Sequence, residues 1–401
     1  MSKELSDRFV ALAVTGGFLV VSLAGWFYFG PRLGGDSERF LSGASNLATG
    51  GSFEGKQGNY FGYSMILVPL REWLGLGFGW IVWGQILSCA VGVYFWTCQS
   101  SVVFGKAASI LGGGLVVLYP GVWKWNLYVM TDGPFITTSL FAVGGFLAWR
   151  TDHRLRWILI SMVASLVGAS LRPNGWVLLG VLWVFLLIFF LRYKWAQKVS
   201  VAILLLAGLL LGMGMRNVAT GSLVEDPVYF LKQGIVVWGW QDWSFKMPTA
   251  DSSDGDGWGE YIRYFLEHPM EVIGLWSARV GVSLVPLRPG FSIPNQLLTV
   301  VYLVPIYLFF VLGLRRIRSE YFWVLTYLVL AFFPAALFFA NWDGRWLDYL
   351  FPFLGPAVGV GALILLERIG FGSQILKSSR TDDERLQICG GRGESRNEDL
   401  E

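Results

Sequence analysis

Apolar stretches of about 20 residues recur from one end of this chain to the other, and each matches a hydrocarbon core roughly 30 Å thick at about 1.5 Å per helical residue. Only helices and closed barrels keep every backbone group satisfied inside such a core. Continuous runs of this length select helices, because a barrel strand is shorter and alternates. Composition agrees. Of 401 residues, 54% are hydrophobic and 15% charged, against about 25% charged in a soluble domain. Fifty glycines let spanning helices approach closely, and twenty tryptophans suit the headgroup level.

The first span is expected over about Phe9 to Phe29. Its apolar run is long for a signal peptide and lacks a small-x-small cleavage site, so it reads as a retained anchor. Further spans are expected at 79–98, 107–122, 133–149, 157–174, 175–191, 199–215, 296–313, 321–340 and 349–366. The predicted fold class is an all-α polytopic membrane protein of about ten transmembrane helices with exterior amphipathic helices. Tyr60–Leu70 is apolar but too short to cross, and is expected to dock at the outer interface.

Cationic loops set the orientation. Arg150, Arg154 and Arg156 follow the fourth span; Arg192, Lys194 and Lys198 follow the sixth; Arg315, Arg316 and Arg318 follow the eighth. With ten spans, all three clusters and both termini fall on the cytoplasmic side. One transmembrane domain is expected over 1–369, with exterior loops 30–78 and 216–295 forming the active-site face. A charged, glycine- and serine-rich cytoplasmic tail over 370–401 is expected to be disordered. Within the long loop, Tyr261, Phe265, Ile273, Trp276 and Val280 recur at helical spacing broken at Pro269, which suggests amphipathic helices lying on the membrane.

The net charge of +3 comes with no basic run, so nucleic acid is not an expected partner. Cys89 and Cys98 fall on opposite sides of one predicted helix and Cys389 lies in the tail, so no disulfide framework is expected. His153 and His268 are the only histidines, too few for a histidine-rich metal site or a serine–histidine–aspartate triad. No cofactor is required by the sequence, and no metal ligands are assigned. Asp251, Asp254, Asp256 and Glu260 do not keep the calcium-loop spacing, although a divalent cation stays open as a cofactor.

Chemistry must then come from carboxylates and cations on the exterior side. Asp36, in Gly34-Gly35-Asp36-Ser37-Glu38-Arg39, precedes an apolar helical face; it either caps that helix or serves as a general base. Asp132, in Met130-Thr131-Asp132-Gly133-Pro134, opens the fourth span and carries the same two readings. Lys124 sits among aromatics in Tyr119-Pro120-Gly121-Val122-Trp123-Lys124-Trp125, where a snorkelling lysine in an aromatic belt would look the same. Arg172, Arg216, Arg288 and Arg345 lie at outer span ends, where arginine is unusual. They could hold a phosphate leaving group, or pair locally, as Arg345 could with Asp343 or Asp348.

In this order the pieces resemble the bacterial GT-C superfamily, in particular its protein O-mannosyltransferase-like and lipid A aminoarabinose transferase-like enzymes. The resemblance rests on the Asp36 loop with Arg39, then Lys56 and Asn59-Tyr60-Phe61-Gly62-Tyr63, Met130-Thr131-Asp132, and Arg172-Pro173-Asn174-Gly175. It continues through Arg216-Asn217, Glu267-His268-Pro269, and Arg345 into Tyr349-Leu350-Phe351-Pro352-Phe353. Two features depart from it. Ser37 follows Asp36 where eukaryotic mannosyltransferases of the family carry an acidic pair, and the soluble C-terminal domain of larger relatives is not expected here. The resemblance implies Asp36 as catalytic base, Asp132 in support, and a polyprenyl-phosphate sugar donor. The phosphate would be held by Arg345 and Arg172, then Lys56 or Lys124, with Arg39, Tyr60, Arg216 and Arg288 as possible supporting residues. The acceptor would be a glycan, lipid or protein. The alternatives are an outer-leaflet polysaccharide polymerase or ligase, and a transporter or flippase.

Overall fold

The computed structural model describes residues 3–53, 55–173, 175–180, 227–237, 240–248, 258–285, 287, 290, 292–317, 348 and 350–370. These residues are mostly helical: α1 (Lys3–Phe29), α2 (Ser37–Ala48), α3 (Phe61–Leu67), α4 (Phe78–Phe104), α5 (Lys106–Leu118), α6 (Pro120–Trp123), α7 (Asp132–Asp152) and α8 (Leu155–Leu171) come first. After them stand α9 (Pro227–Lys232), the strands β1 (Ile235–Val237) and β2 (Trp240–Ser244), then α10 (Trp258–Glu267), α11 (Pro269–Leu284), α12 (Ile293–Arg316) and α13 (Phe351–Arg368).

Among the described residues, four helices are long and apolar enough to cross a membrane: Ser6–Phe29 within α1, α4, α12 and α13. The pair Lys106–Leu118 and Pro120–Leu127, bent by 68°, makes a fifth if it is one broken span. The expected span at 133–149 is helical but is not among them. Thr137, Thr138, Ser139, Gly144 and Gly145 dilute its apolarity, and all five are buried. A helix enclosed by other helices has little lipid to satisfy, and its hydroxyls turn back on their own carbonyls, Thr137 to Gly133 and Ser139 to Phe135. The expected span at 157–174 appears as the shorter α8, of 17 residues. Of the expected 175–191 span, residues 175–180 are described and helical. The spans at 199–215 and 321–340 and the 370–401 tail lie outside the described residues, apart from Gly370.

Helix contacts fix the direction of each segment. Asp7 of α1 meets Ser101 of α4, while Trp26 meets Gly79, so α1 and α4 are antiparallel. Gly113 of α5 lies against Val14, and Gly25 against Trp123, so α5 returns alongside α1. Gly92 and Trp96 of α4 meet Leu140 and Gly144 of α7, which makes those two parallel. Gly145 packs on Trp157 and Ser161, and Gly168 on Phe135 and Thr138, so α8 is antiparallel to α7. Tyr119 touches both Tyr302 and Phe351, and Arg316 pairs with Glu367 at 3.2 Å, so α12 and α13 run the same way. The clusters at 150–156 and 315–316 thus share one end of the bundle, called here the basic end.

Glycine makes the tightest of these contacts. A Cβ at Gly112 would collide with the Gly355 carbonyl, one at Gly359 with Ala108, and one at Gly313 with Ala357. Backbone-to-backbone approach of this kind holds helices together where lipid offers no hydrophobic drive. The main core gathers Phe18, Trp96, Phe135, Leu147, Leu354 and Ala357. The directions can be checked in a cysteine-free background. Ser52→Cys and Thr151→Cys, both at exposed positions, should react with an impermeant maleimide from opposite sides of a sealed vesicle. Labelling from one side only would contradict the bundle's crossing.

Two loop expectations change. Tyr60–Leu70 is not merely docked at a surface: a 3-10 turn (Gly55–Tyr60), α3 and a π turn (Val68–Trp73) bury Phe61, Tyr63, Ser64, Leu67 and Val68, leaving Met65, Ile66 and Trp73 exposed. The 216–295 loop contains a strand pair, β1 antiparallel to β2, against the all-α expectation. Pro269 does separate α10 from α11, but much of their apolar face is used internally. Tyr261, Tyr264, Val272 and Leu275 form a second core with Val236 and Val237, and Phe265 stacks on Trp276 at 5.3 Å.

Arg279 anchors that second core. It is fully buried, donating from Nε to the Ile235 carbonyl at 2.8 Å and from Nη2 to the Phe230 carbonyl at 2.8 Å. Burial pushes its guanidinium down to about 10, so it still holds its proton at neutral pH. Arg279→Met should speed amide exchange across 235–244 by about tenfold or more, since one charge-assisted bond contributes roughly 1.5–3 kcal/mol. Unchanged exchange there would mean the arginine does not brace the strands.

A candidate active site at the acidic end

Of the residues singled out in the sequence, the opposite end of the bundle collects Asp36, Arg39, Tyr60, Lys124, Asp132 and Arg172. Directly after α1, Arg32 pairs with the chain at 127–129: its N–H donates to the Leu127 carbonyl at 2.8 Å, and its carbonyl accepts from Val129 at 3.0 Å. Gly34 then lies against the Met130 side chain. Ser37, fully buried, accepts from the Gly34 N–H at 2.7 Å and donates its hydroxyl to the Val129 carbonyl at 2.8 Å. Ser37 therefore stitches the Asp36 loop to the Asp132 segment.

Asp36 stands at the N-cap position of α2 but makes no side-chain capping bond. Its side chain is 33% exposed, and its carboxylate lies 3.5 Å from the Arg39 guanidinium. Arg39 in turn lies over the Tyr60 ring at 5.7 Å, and Tyr60 packs edge-on to Phe40 at 5.3 Å. Lys56 falls in the 3-10 turn beside them; its side chain, like Arg216, Arg288, Arg345 and Asp343, lies outside the described residues.

Asp132 is different. It is buried at the start of α7 and forms an ion pair with Arg172, itself buried at the end of α8. Beside this pair runs a polar layer. The Tyr63 hydroxyl donates to Gln85 Oε1 at 2.6 Å, and Gln85 Nε2 donates to the carbonyls of Asn126 at 3.2 Å and Tyr128 at 2.8 Å. Burial first, and then the Asp132 carboxylate, hold the Tyr63 phenol well above its usual range, so it stays protonated and fixes the Gln85 amide. Gly62 admits the close approach of Ser170 that brings α3 against α8.

Lys124 extends over the Trp125 ring, with Nζ 4.4 Å from its centroid. Trp125 donates its indole N–H to a carboxylate the sequence had placed only as a partner for Arg345. That acid is Asp348, buried beside Tyr119 and Gly121. Sequence reasoning missed this role because Trp125 and Asp348 are far apart in the chain. The available signal was Gly121 within an aromatic run, a position with no room for a side chain. His268 stands at the N-cap position of α11, 4.9 Å from the Tyr264 ring. Among the described residues, no three histidine, cysteine, aspartate or glutamate side chains group as metal ligands.

The arrangement offers one partly exposed carboxylate, Asp36 beside Arg39, and two buried ones, Asp132 paired with Arg172 and Asp348 bonded by Trp125. No protein-family model matches the chain, and no curated protein matches it.

Proposed function

We propose that this chain is a membrane glycosyltransferase that moves a sugar from a polyprenyl-phosphate donor to an acceptor hydroxyl on the outer face of the cytoplasmic membrane, with inversion. The observation that carries the reading is the stitching of the Asp36 loop to the 127–132 segment through Arg32 and Ser37, which gathers both acids at the end opposite the basic clusters. The acceptor oxygen attacks the anomeric carbon, the bond from that carbon to the phosphate oxygen breaks, and its electron pair leaves with the phosphate. The acceptor's proton passes to Asp36, whose exposure suits a base that must meet a substrate. Asp132 and Arg172 act as a buried pair that sets the floor of the site. Arg39, Lys124 and Arg345 are the cations assigned to the phosphate, where developing charge makes fixed donors most effective.

The test is transfer by purified protein in lipid discs from a synthetic polyprenyl-phosphate sugar. Release of polyprenyl phosphate with a new glycosidic bond of inverted configuration is expected. Binding of the donor no tighter than binding of an uncharged prenol of equal length would remove the phosphate-recognition premise.

A further inference from the structure

The segment that carries Lys124 is short and bent. It consists of α6 and a 3-10 turn (Lys124–Leu127), four residues each, and runs at 68° to α5. Pieces this short do not hold their own shape, so their partners fix them. Gln85 Nε2 donates to the carbonyls of Asn126 and Tyr128, Asn126 Nδ2 to that of Val122 at 3.0 Å, and the Arg32 N–H to that of Leu127. Every one of these bonds ends on a backbone carbonyl.

One side chain of the segment is held from far away in sequence. The Trp125 indole N–H donates to Asp348 Oδ2, and the Tyr119 hydroxyl donates to the same carboxylate. Both rings and Asp348 are buried, and Gly121, with no side chain, leaves them the space. Asp348 comes just before α13, whose Phe351 ring lies 4.3 Å from that of Tyr119, so a packed helix sets its place. Over the Trp125 ring stands the Lys124 ammonium, 4.4 Å from the centroid. Lys124 is half-buried, and among the described residues it has no acidic partner.

From this chain of contacts we infer that Asp348 is a positioning residue: it locks the Trp125 ring, and the ring in turn holds the Lys124 ammonium in place for the donor phosphate. The role at the phosphate rests on the function proposed above; the hold on Lys124 stands apart from it. A lysine stem is long and loses much rotamer freedom when it is fixed. A ring that cannot turn bears that loss before the ligand arrives, which raises affinity without a new contact. Without its acceptor the buried indole N–H would be left unpaired, and the ring would leave this orientation.

Two measurements on the purified full chain in lipid discs test this. Acylation of Lys124 by a water-soluble amine-reactive ester, followed residue by residue by mass spectrometry, reads the lysine without any ligand. Asp348→Ala should speed it about tenfold, the scale of one partly desolvated cation–π contact. Asp348→Asn, whose Oδ1 can still accept the indole N–H, should restore the slow rate. Trp125→Phe keeps a ring but has no N–H; it should speed acylation as Asp348→Ala does, and it serves if the alanine variant fails to fold. The second measurement is affinity for polyprenyl phosphate and for an uncharged prenol of equal length. Asp348→Ala should weaken phosphate binding about tenfold and leave prenol binding unchanged. In a Lys124→Met background it should cost no further affinity. Unchanged Lys124 acylation in Asp348→Ala and Trp125→Phe, or equal losses of phosphate affinity with and without Lys124, would overturn the positioning role. If the wild type prefers neither lipid, the donor reading fails, and the acylation rates still decide whether Asp348 holds Lys124.

Discussion

Arg172→Met should destabilise the protein by about 3–5 kcal/mol, because it strands the Asp132 carboxylate in a buried position. Both groups are nearly enclosed, at 9% and 4% side-chain exposure, so water cannot replace the lost partner. Asp132→Asn alone leaves the arginine cation similarly uncompensated and should cost a comparable amount. The informative protein is the double variant, Asp132→Asn with Arg172→Met, which removes both charges. It should recover much of the stability, since a buried ion pair is often replaceable by neutral groups of similar volume. Transfer should not recover with it if the pair shapes the site. Unfolding in graded denaturant, measured on all four proteins, gives the coupling energy. A loss below about 1 kcal/mol in the single variants would mean the pair behaves as a solvated one.

The second large effect concerns turnover. Asp36→Asn should reduce transfer by about 10²-fold or more, the scale of a positioned general base. Stability should stay within about 1 kcal/mol of the wild type, for two reasons: the side chain makes no capping bond, and its pair with Arg39 is a third exposed. Asp36→Glu should also be poor, because one methylene moves the carboxylate by about an ångström, and displacement on that scale can cost about 10²-fold. Near-normal turnover in Asp36→Asn would leave Asp132 as the remaining acid. Its burial beside Arg172 would then require the site to open.

The sequence made the spanning helices legible because lipid imposes a length and an apolarity that few other environments demand. α1, α4, α12 and α13 answer directly to that rule. Helix α7, expected as an apolar span, obeys it poorly, since burial by neighbours rather than lipid sets its composition. Two of the three basic clusters, at 150–156 and 315–316, meet at one end of the bundle as their places in the series predict, while the third, at 192–198, lies outside the described residues. The long loop was harder. Helical spacing around Pro269 was visible, but β1 and β2 are only three and five residues long, too short to show an alternation. Partners distant in sequence were invisible from either side. Nothing near Ser37 points to Val129, nothing near Asp348 to Trp125, and nothing near Arg279 to Phe230. Asp36 and Asp132 could be named as candidates, but their difference in exposure, 33% against 4%, exists only in three dimensions.

The placement of α13 has a consequence in time. Helix α13 is late to leave the ribosome, yet its glycines lie against α5 and α12, Trp96 of α4 donates to its Pro352 carbonyl at 2.9 Å, and Asp348 just before it receives Trp125. Helices synthesised early must therefore wait in the bilayer with a vacant slot among them, lined by Gly112, Trp96 and Trp125. A nascent chain stalled before about residue 348 would be inserted but unfinished, its slot filled by lipid or by a quality-control partner. Closure of the bundle, and with it the setting of Trp125 and Lys124, becomes an event that waits for α13.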